Sequence, residues 1–408
     1  MRILVNDFSG HPFQIQLSRW LAENGHEVMH TYSASFSTPH GNLSEKNSAS
    51  GTLKIIPLAL PGERLFDKYH PIKRLQDELE FGKVAARTCV EFRPEIVLSA
   101  NMPLLSQMRL QNAARQIGAR FIFWLQDLYG IGIRENLAKR IPLGRLLGWP
   151  FEALEARLLR QSDHVIVISE DFRMETRRLG VADSRVTVIE NWAPIDEIPV
   201  LPKDNAWSRE HDLHDKPVIM YTGTLGLKHN PEILARIAEA LADIHDLKVV
   251  ICSEGIGADY LREQKAARDL DNLVISGFQP FARLPEVMAS ADILVALLEE
   301  DAGSFSVPSK VLSYLCAGRA IALSAPETNL AVRIVREANA GLVFRPGDNL
   351  EDFVSAIRQL LSTREVRARY GEGGRRFAER AFDIEQIGPR FLQSCTISNR
   401  SSLNLLRH

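Results

Sequence analysis

Cysteine is scarce in this chain: four residues among 408, at Cys89, Cys252, Cys316 and Cys395. They lie far apart, with no Cys-x-x-Cys and no nearby histidine, which excludes a sequence-local zinc site and a disulfide framework and fits a reducing cytoplasm. Long apolar runs are lacking too. Polar residues interrupt the start at Asn6 and Asp7 before a signal-type apolar region forms, and no stretch of about 18 apolar residues follows, so no transmembrane span is expected. A charge excess of either sign is also missing. With 49 Lys+Arg against 51 Asp+Glu the formal net charge is -2, which excludes a polycationic nucleic-acid binder. Neither Gly-x-Gly-x-x-Gly after the opening strand nor Gly-x-x-x-x-Gly-Lys-[Ser/Thr] occurs, so the dinucleotide-binding and P-loop fingerprints are absent.

What is present is length and rhythm. At 408 residues, 45% hydrophobic and 25% charged, the chain has room for two or three globular domains. Short β-branched runs alternate with longer amphipathic stretches, the pattern of parallel-sheet α/β domains. Strands are expected at 2–5, 27–31, 53–57, 95–99, 120–125, 164–168 and 186–189, and again at 218–222, 248–252, 273–276, 293–297, 320–323 and 341–344. Helices are expected between them, including 12–23, 71–92, 151–161, 308–316 and 364–381. The prolines Pro194, Pro199, Pro202 and Pro217 break the rhythm. The expected organisation is an N-terminal domain at 1–195, completed by a C-terminal helix at about 383–395, a linker at 196–216, a second domain at 217–382 and a disordered tail at 396–408. Two Rossmann-like doubly wound domains facing each other across a cleft would bind ligand at the carboxyl ends of their strands. The Ser-rich stretch 33–52 reads as a surface loop, with contact to an acceptor as the alternative.

Three helices share one kind of start. Ser9-Gly10-His11-Pro12 follows the first strand, Gly223-Thr224-Leu225-Gly226-Leu227-Lys228-His229-Asn230-Pro231 opens the second domain, and Gly303 leads to Pro308-Ser309-Lys310. Proline at the first helical position loses no useful N–H, and the preceding glycine lets backbone turn or be approached closely. Such helix N-termini favour anions. Lys228 and Lys310 add full charges beside two of them, so a diphosphate held by Ser309, Lys310 and the loop from Gly223 to Lys228 is the expected ligand.

The string Val307-Pro308-Ser309-Lys310-Val311-Leu312-Ser313-Tyr314-Leu315-Cys316-Ala317-Gly318-Arg319 resembles the donor-binding helix of family 4 glycosyltransferases of the GT-B fold. Asn24-Gly25-His26-Glu27-Val28, Val188-Ile189-Glu190-Asn191-Trp192, Ser290-Ala291-Asp292-Ile293 and Ala340-Gly341-Leu342-Val343-Phe344 extend the resemblance over nearly the whole chain. Trp124-Leu125-Gln126-Asp127-Leu128-Tyr129, with Glu190-Asn191-Trp192 and Pro308-Ser309-Lys310, is most similar to the bacterial enzymes of colanic-acid, O-antigen and capsule assembly.

The resemblance implies a retaining transfer of sugar from a UDP- or GDP-sugar, with no metal and no cofactor, to a glycan or polyprenyl-diphosphate-linked acceptor. Lysine charge and helix N–H groups would stabilise the leaving diphosphate. Two departures stand out. The arginine that usually follows the loop glycine is Thr224 here, and the two glutamates spaced eight apart fall at Phe305 and Ser313. Either Glu299-Glu300-Asp301 supplies the missing carboxylates, with Glu300 the candidate, or backbone and hydroxyls such as Ser313 hold the sugar and ribose. Asp127, just past an apolar strand, is the candidate group to orient or deprotonate the acceptor hydroxyl, with a helix cap as its alternative. His11 would contact donor phosphate or sugar unless its role is structural.

Residues 134–160 hold six basic and three acidic side chains interleaved with Leu143, Leu146, Leu147 and Trp149. They read as a patch for an anionic membrane surface or as an amphipathic helix on its own sheet. A cytoplasmic protein, with room for peripheral contact at the inner face of the membrane, is expected. A same-fold 2-epimerase of nucleotide sugars, or a non-catalytic subunit that binds them, are the rivals.

Overall fold

The computed structural model describes residues 1–36, 40–43, 50–67, 70–100, 102–226, 229–300 and 309–396. Seven strands form the first sheet: β1 (Arg2–Asp7), β2 (Glu27–Ser33), β3 (Thr52–Leu58), β4 (Ile96–Ala100), β5 (Arg120–Leu125), β6 (His164–Val167) and β7 (Val186–Val188). Six form the second: β8 (Val218–Thr222), β9 (Lys248–Cys252), β10 (Leu273–Ser276), β11 (Ile293–Leu297), β12 (Ala320–Ser324) and β13 (Gly341–Phe344). The orders are β3-β2-β1-β4-β5-β6-β7 and β10-β9-β8-β11-β12-β13. Neighbours pair in parallel, as in β1 with β4 and β8 with β11. Both are Rossmann-like doubly wound sheets, and in each the strand order reverses beside the domain's first strand, at β1/β4 and at β8/β11. Helices cover both faces of such a sheet, so the central strands must be apolar on both sides. Every residue of β4, β8, β11 and β12 is buried.

The chain divides into two compact units, the first made chiefly of the residues up to Glu190 with the helix Ile384–Thr396, the second running Asn191–Asp383. In the second, Tyr221, Ile251 and Val295 pack with Leu234, Leu261 and Ile357. In the first, the returning helix lays Phe391 against Trp124, ring centroids 4.6 Å apart. Its Gly388 sits where any side chain would run into Trp20, and Arg390 donates to the Val188 carbonyl at 2.7 Å.

Two stretches differ from the sequence reading. Residues 196–216, read as a linker, are an arm packed on the second unit. Trp207 is buried there and donates from its indole to Gln279 at 3.0 Å. Asn205 and Ser208 cap a short helix in a reciprocal box, and Lys203 pairs with Asp292. Pro194 precedes a short helical turn at Ile195–Glu197 and Pro199 follows it within the packed arm. A helix at Tyr129–Arg140 lies where the sequence pattern announces none, and the helix expected at 151–161 begins at Gly144 and carries Pro150 inside it. The expected tail lies outside the described residues from 397 onward.

Candidate functional site

In the second unit the site grows from the end of β8. The chain leaves Thr222 through Gly223, whose φ of +95° is a left-handed value that a side chain strains, and whose N–H donates to the Cys252 carbonyl at 3.0 Å. The helix Ser309–Ala317 is pinned beside this turn by Tyr314. That buried phenol accepts from the Thr222 N–H at 3.0 Å and donates toward the Val295 carbonyl at 3.3 Å, tying the helix to β8 and β11 at the point of reversal. Burial pushes the phenol up to about 12, so it stays a neutral donor.

One helical turn before Tyr314 stands Lys310. Its ammonium donates to the Tyr221 hydroxyl and to the Thr224 carbonyl at 3.3 Å, and lies 3.6 Å from the centroid of the Tyr221 ring. Tyr221 in turn donates to the same Thr224 carbonyl at 2.8 Å. A Cβ on Gly223 would come to 4.0 Å from Lys310 Cε, so charge and turn are in close approach. Ser309 is exposed at the helix start, and Ser313 is half-buried one turn on along the same face.

The loop is clamped from its other side. The Gly226 N–H donates to His229 Nδ1 at 2.9 Å, and the Leu225 carbonyl accepts from Gly257 at 3.1 Å, where any larger residue would meet that carbonyl. The structure brings Gly223, Thr224 and Lys310 together, with Gly226 further along the same loop and Ser309 and Ser313 on the helix that carries Lys310. Glu300 is exposed at the end of the segment after β11. Lys228, and residues 301–308 with Asp301 and Phe305, lie outside the described residues. A lysine charge, a helix start and two hydroxyls at one switch point can hold an anion such as a diphosphate and stabilise charge that develops on it.

The first unit presents different chemistry. The loop Ser9-Gly10-His11, read as ready for an external anion, already holds an internal one. The buried Asp7 carboxylate accepts from Ser9 N–H at 3.1 Å and from His11 N–H, with Gly10, at φ +72°, bending the chain around it. His11 Nδ1 lies 3.9 Å from the same carboxylate. Burial outweighs these amides and pushes Asp7 up to about 7. The Ser9 and His11 amides that the sequence pattern offers to a donor phosphate or sugar are thus engaged by Asp7 in the fold.

Asp127 is half-buried just past the carboxyl end of β5, where its position after an apolar strand put it. The unforeseen helix Tyr129–Arg140 starts two residues on. Burial and then the Asp127 charge raise the Tyr129 phenol above its ordinary range. Beneath that start lies Glu155, wholly buried and pushed up to about 8 by desolvation. The amides of Gly130, Ile131 and Tyr129 approach its carboxylate and oppose the shift, although neither oxygen accepts a well-directed hydrogen bond. Asp7, Tyr221 and Glu155 were not singled out from sequence; a tyrosine directly before Thr-Gly at a strand end was the available signal for one of them.

Among the described residues one trio offers donor atoms within 4.8 Å of one another for a metal ion, Asp212, His214 and Asp215. It stands on the exposed end of the arm, and Asp212 already pairs with Lys216.

Comparison with known proteins agrees with this architecture. Residues 203–377 match the family Glycosyl transferases group 1, and residues 14–192 match the Glycosyl transferase 4-like domain. The chain is thus a family 4-like glycosyltransferase, an enzyme of the GT-B fold. Sucrose-phosphate synthase from Thermosynechococcus elongatus is similar in structure, with a TM-score of 0.73 and 16% identity over 96% of this chain and 98% of that one. Anabaena HepE, solved in complex with UDP-glucose, gives 0.68 and 13% over 97% and 99%. WaaG, a glycosyltransferase involved in lipopolysaccharide biosynthesis, gives 0.65 and 14% over 98% and 100%. No curated protein matches in sequence.

Proposed function

We propose that this enzyme transfers a sugar from a nucleoside diphosphate donor, with retention and without a metal, to a glycan or polyprenyl-diphosphate-linked acceptor in surface-polysaccharide assembly. The observation that carries this reading is Lys310, held by Tyr221 and Thr224 above the Gly223 turn at the switch point of the second sheet. As the glycosidic bond breaks, negative charge gathers on the leaving diphosphate. A lysine fixed there, beside a helix start, stabilises that charge more than the ground state and so speeds the step. Ser309 and Ser313 donate to phosphate or ribose oxygens. Asp127, on the first unit, orients or deprotonates the acceptor hydroxyl. Solved relatives of the same fold hold UDP-glucose, as in Anabaena HepE, and UDP-2-fluoro glucose, which supports a nucleotide-sugar donor.

Thermal-shift measurements against UDP, GDP, ADP and CMP test the donor half. A ligand at 100 times its dissociation constant adds about 2.7 kcal/mol of stability, so one nucleoside diphosphate raises the melting temperature clearly above the others. A flat response to all four contradicts the reading. Release of nucleoside diphosphate only when acceptor is present separates a transferase from an epimerase and from a silent binding subunit.

A further inference from the structure

The helices Tyr129–Arg140 and Gly144–Gln161 form a hairpin whose inner seam is made of glycines. A side chain at Gly144 would run into the Leu137 carbonyl, one at Gly148 into the Arg134 backbone, and one at Gly130 would lie 2.7 Å from Glu152 Cα. Backbones this close leave no room for leucines between them, so the leucines of the second helix's first turns point elsewhere.

They point to solvent. Ile141 is 41% exposed, Leu143 76%, Leu146 67%, Leu147 56% and Trp149 61%. Five of the twelve large exposed hydrophobics among the described residues thus fall within nine positions. The amphipathic-helix alternative, in which these residues pack on their own sheet, does not hold for them. A concentration of this kind marks an interaction surface, whereas single exposed leucines do not.

Charge distinguishes the partner. Acidic groups of the hairpin are turned inward or engaged: Glu152 pairs with Arg134 and Arg178, Glu135 with Arg134 and Arg145, and Glu155 is buried. Between 139 and 151 the sequence carries Lys139, Arg140 and Arg145 and no acid, and all three are exposed. An apolar tip ringed by exposed cations fits a surface that is oily within and anionic at its rim.

We infer that this hairpin tip docks on an anionic lipid bilayer. Leu143, Leu146 and Leu147 enter the acyl boundary, Trp149 settles at headgroup level, and Lys139, Arg140 and Arg145 meet lipid phosphates. A cation at such a surface strengthens partitioning about fivefold, Arg145 less so because Glu135 already shares its charge. The inference rests on the proposed lipid-linked acceptor for its purpose; the binding itself is measurable without any acceptor.

Flotation of the full chain with vesicles of equal parts phosphatidylglycerol and phosphatidylcholine tests it, against vesicles of phosphatidylcholine alone. Trp149 supplies an internal reporter, because the other four tryptophans, Trp20, Trp124, Trp192 and Trp207, are buried. The parent is expected to float with the anionic vesicles, less so in high salt, and its tryptophan emission is expected to shift to the blue. Trp149→Phe removes the shift but keeps binding, and Leu146→Glu weakens binding more than tenfold. Circular dichroism and the melting temperature without ligand stay close to the parent's in both variants, which shows that they fold. No flotation with anionic vesicles, or flotation indifferent to Leu146→Glu, overturns the inference. So does a dimer in solution that dissociates on Leu146→Glu without any vesicle binding. A parent that floats but ignores every nucleotide would sink the donor reading and leave the docking surface standing.

Discussion

The Tyr221 hydroxyl accepts a hydrogen bond from the Lys310 ammonium while its ring lies under the same charge, centroid 3.6 Å away. A cation over an aromatic face gains about 0.5–2 kcal/mol according to its desolvation. The phenol thus keeps the lysine at the mouth of the Gly223 turn. Removing the oxygen while keeping the ring should loosen that placement without emptying the core. Tyr221→Phe is expected to lower turnover about tenfold, the worth of one charge-assisted hydrogen bond. Steady-state kinetics beside circular dichroism check it; an unchanged rate removes Tyr221 from the account.

Gly223 holds a φ of +95° with Lys310 Cε close by. Alanine there strains the backbone at a cost of about 1–2 kcal/mol. Gly223→Ala is expected to fold, to melt a few degrees lower and to bind nucleoside diphosphate at least tenfold more weakly. Calorimetric titration measures the affinity.

Asp127→Asn keeps shape and removes the negative charge and the basic oxygen. If Asp127 serves the acceptor, turnover falls about 100- to 10,000-fold, and affinity for nucleoside diphosphate stays the same. A parallel loss of both would make it a structural cap.

Acid–base behaviour separates two buried groups. Glu155 holds its proton in the fold up to about pH 8 but releases it near 4.5 once unfolded. The unfolded chain therefore binds fewer protons across that interval, and stability from this group falls as pH rises from about 4.5 to 8. His30 behaves oppositely. Burial, and then the charge of Arg19, pushes it down to about 3, so unfolding takes up a proton below about 6.5 and stability is lost as pH falls from there toward 3. Melting temperatures across pH are expected to rise in Glu155→Gln relative to the parent above pH 8 and to match it below about 4.5. His30→Asn, which loses the 2.9 Å contact with Ser18, should flatten the acid limb.

Much of this was legible in the sequence, for physical reasons. Parallel strands buried on both faces are written as unbroken apolar runs, so β4, β5, β8 and β11 stand out. The helix Pro12–Glu23 is bracketed by proline at its start and Asn24-Gly25 past its end. The helix Tyr129–Arg140 was hidden because Gly130 and Gly132 weaken propensity and its apolar face is weakly marked. Gly130 serves close packing against Glu152, which no local pattern records, whereas Gly132 faces open space. The site divides in the same way. Gly223, Ser309 and Lys310 are visible because loop chemistry is local, whereas the capture of the Ser9-to-His11 amides by Asp7 and the seating of Lys310 on Tyr221 depend on partners set by the fold.

The central claim is that Lys310 stabilises a leaving nucleoside diphosphate. Acceptor-dependent release of that diphosphate, compared between the parent and Lys310→Ala, tests it most directly. Loss of one preorganised charged donor predicts a fall of about 100- to 1,000-fold in turnover, in a variant whose melting temperature without ligand stays close to the parent's. An undiminished rate in Lys310→Ala would contradict the account.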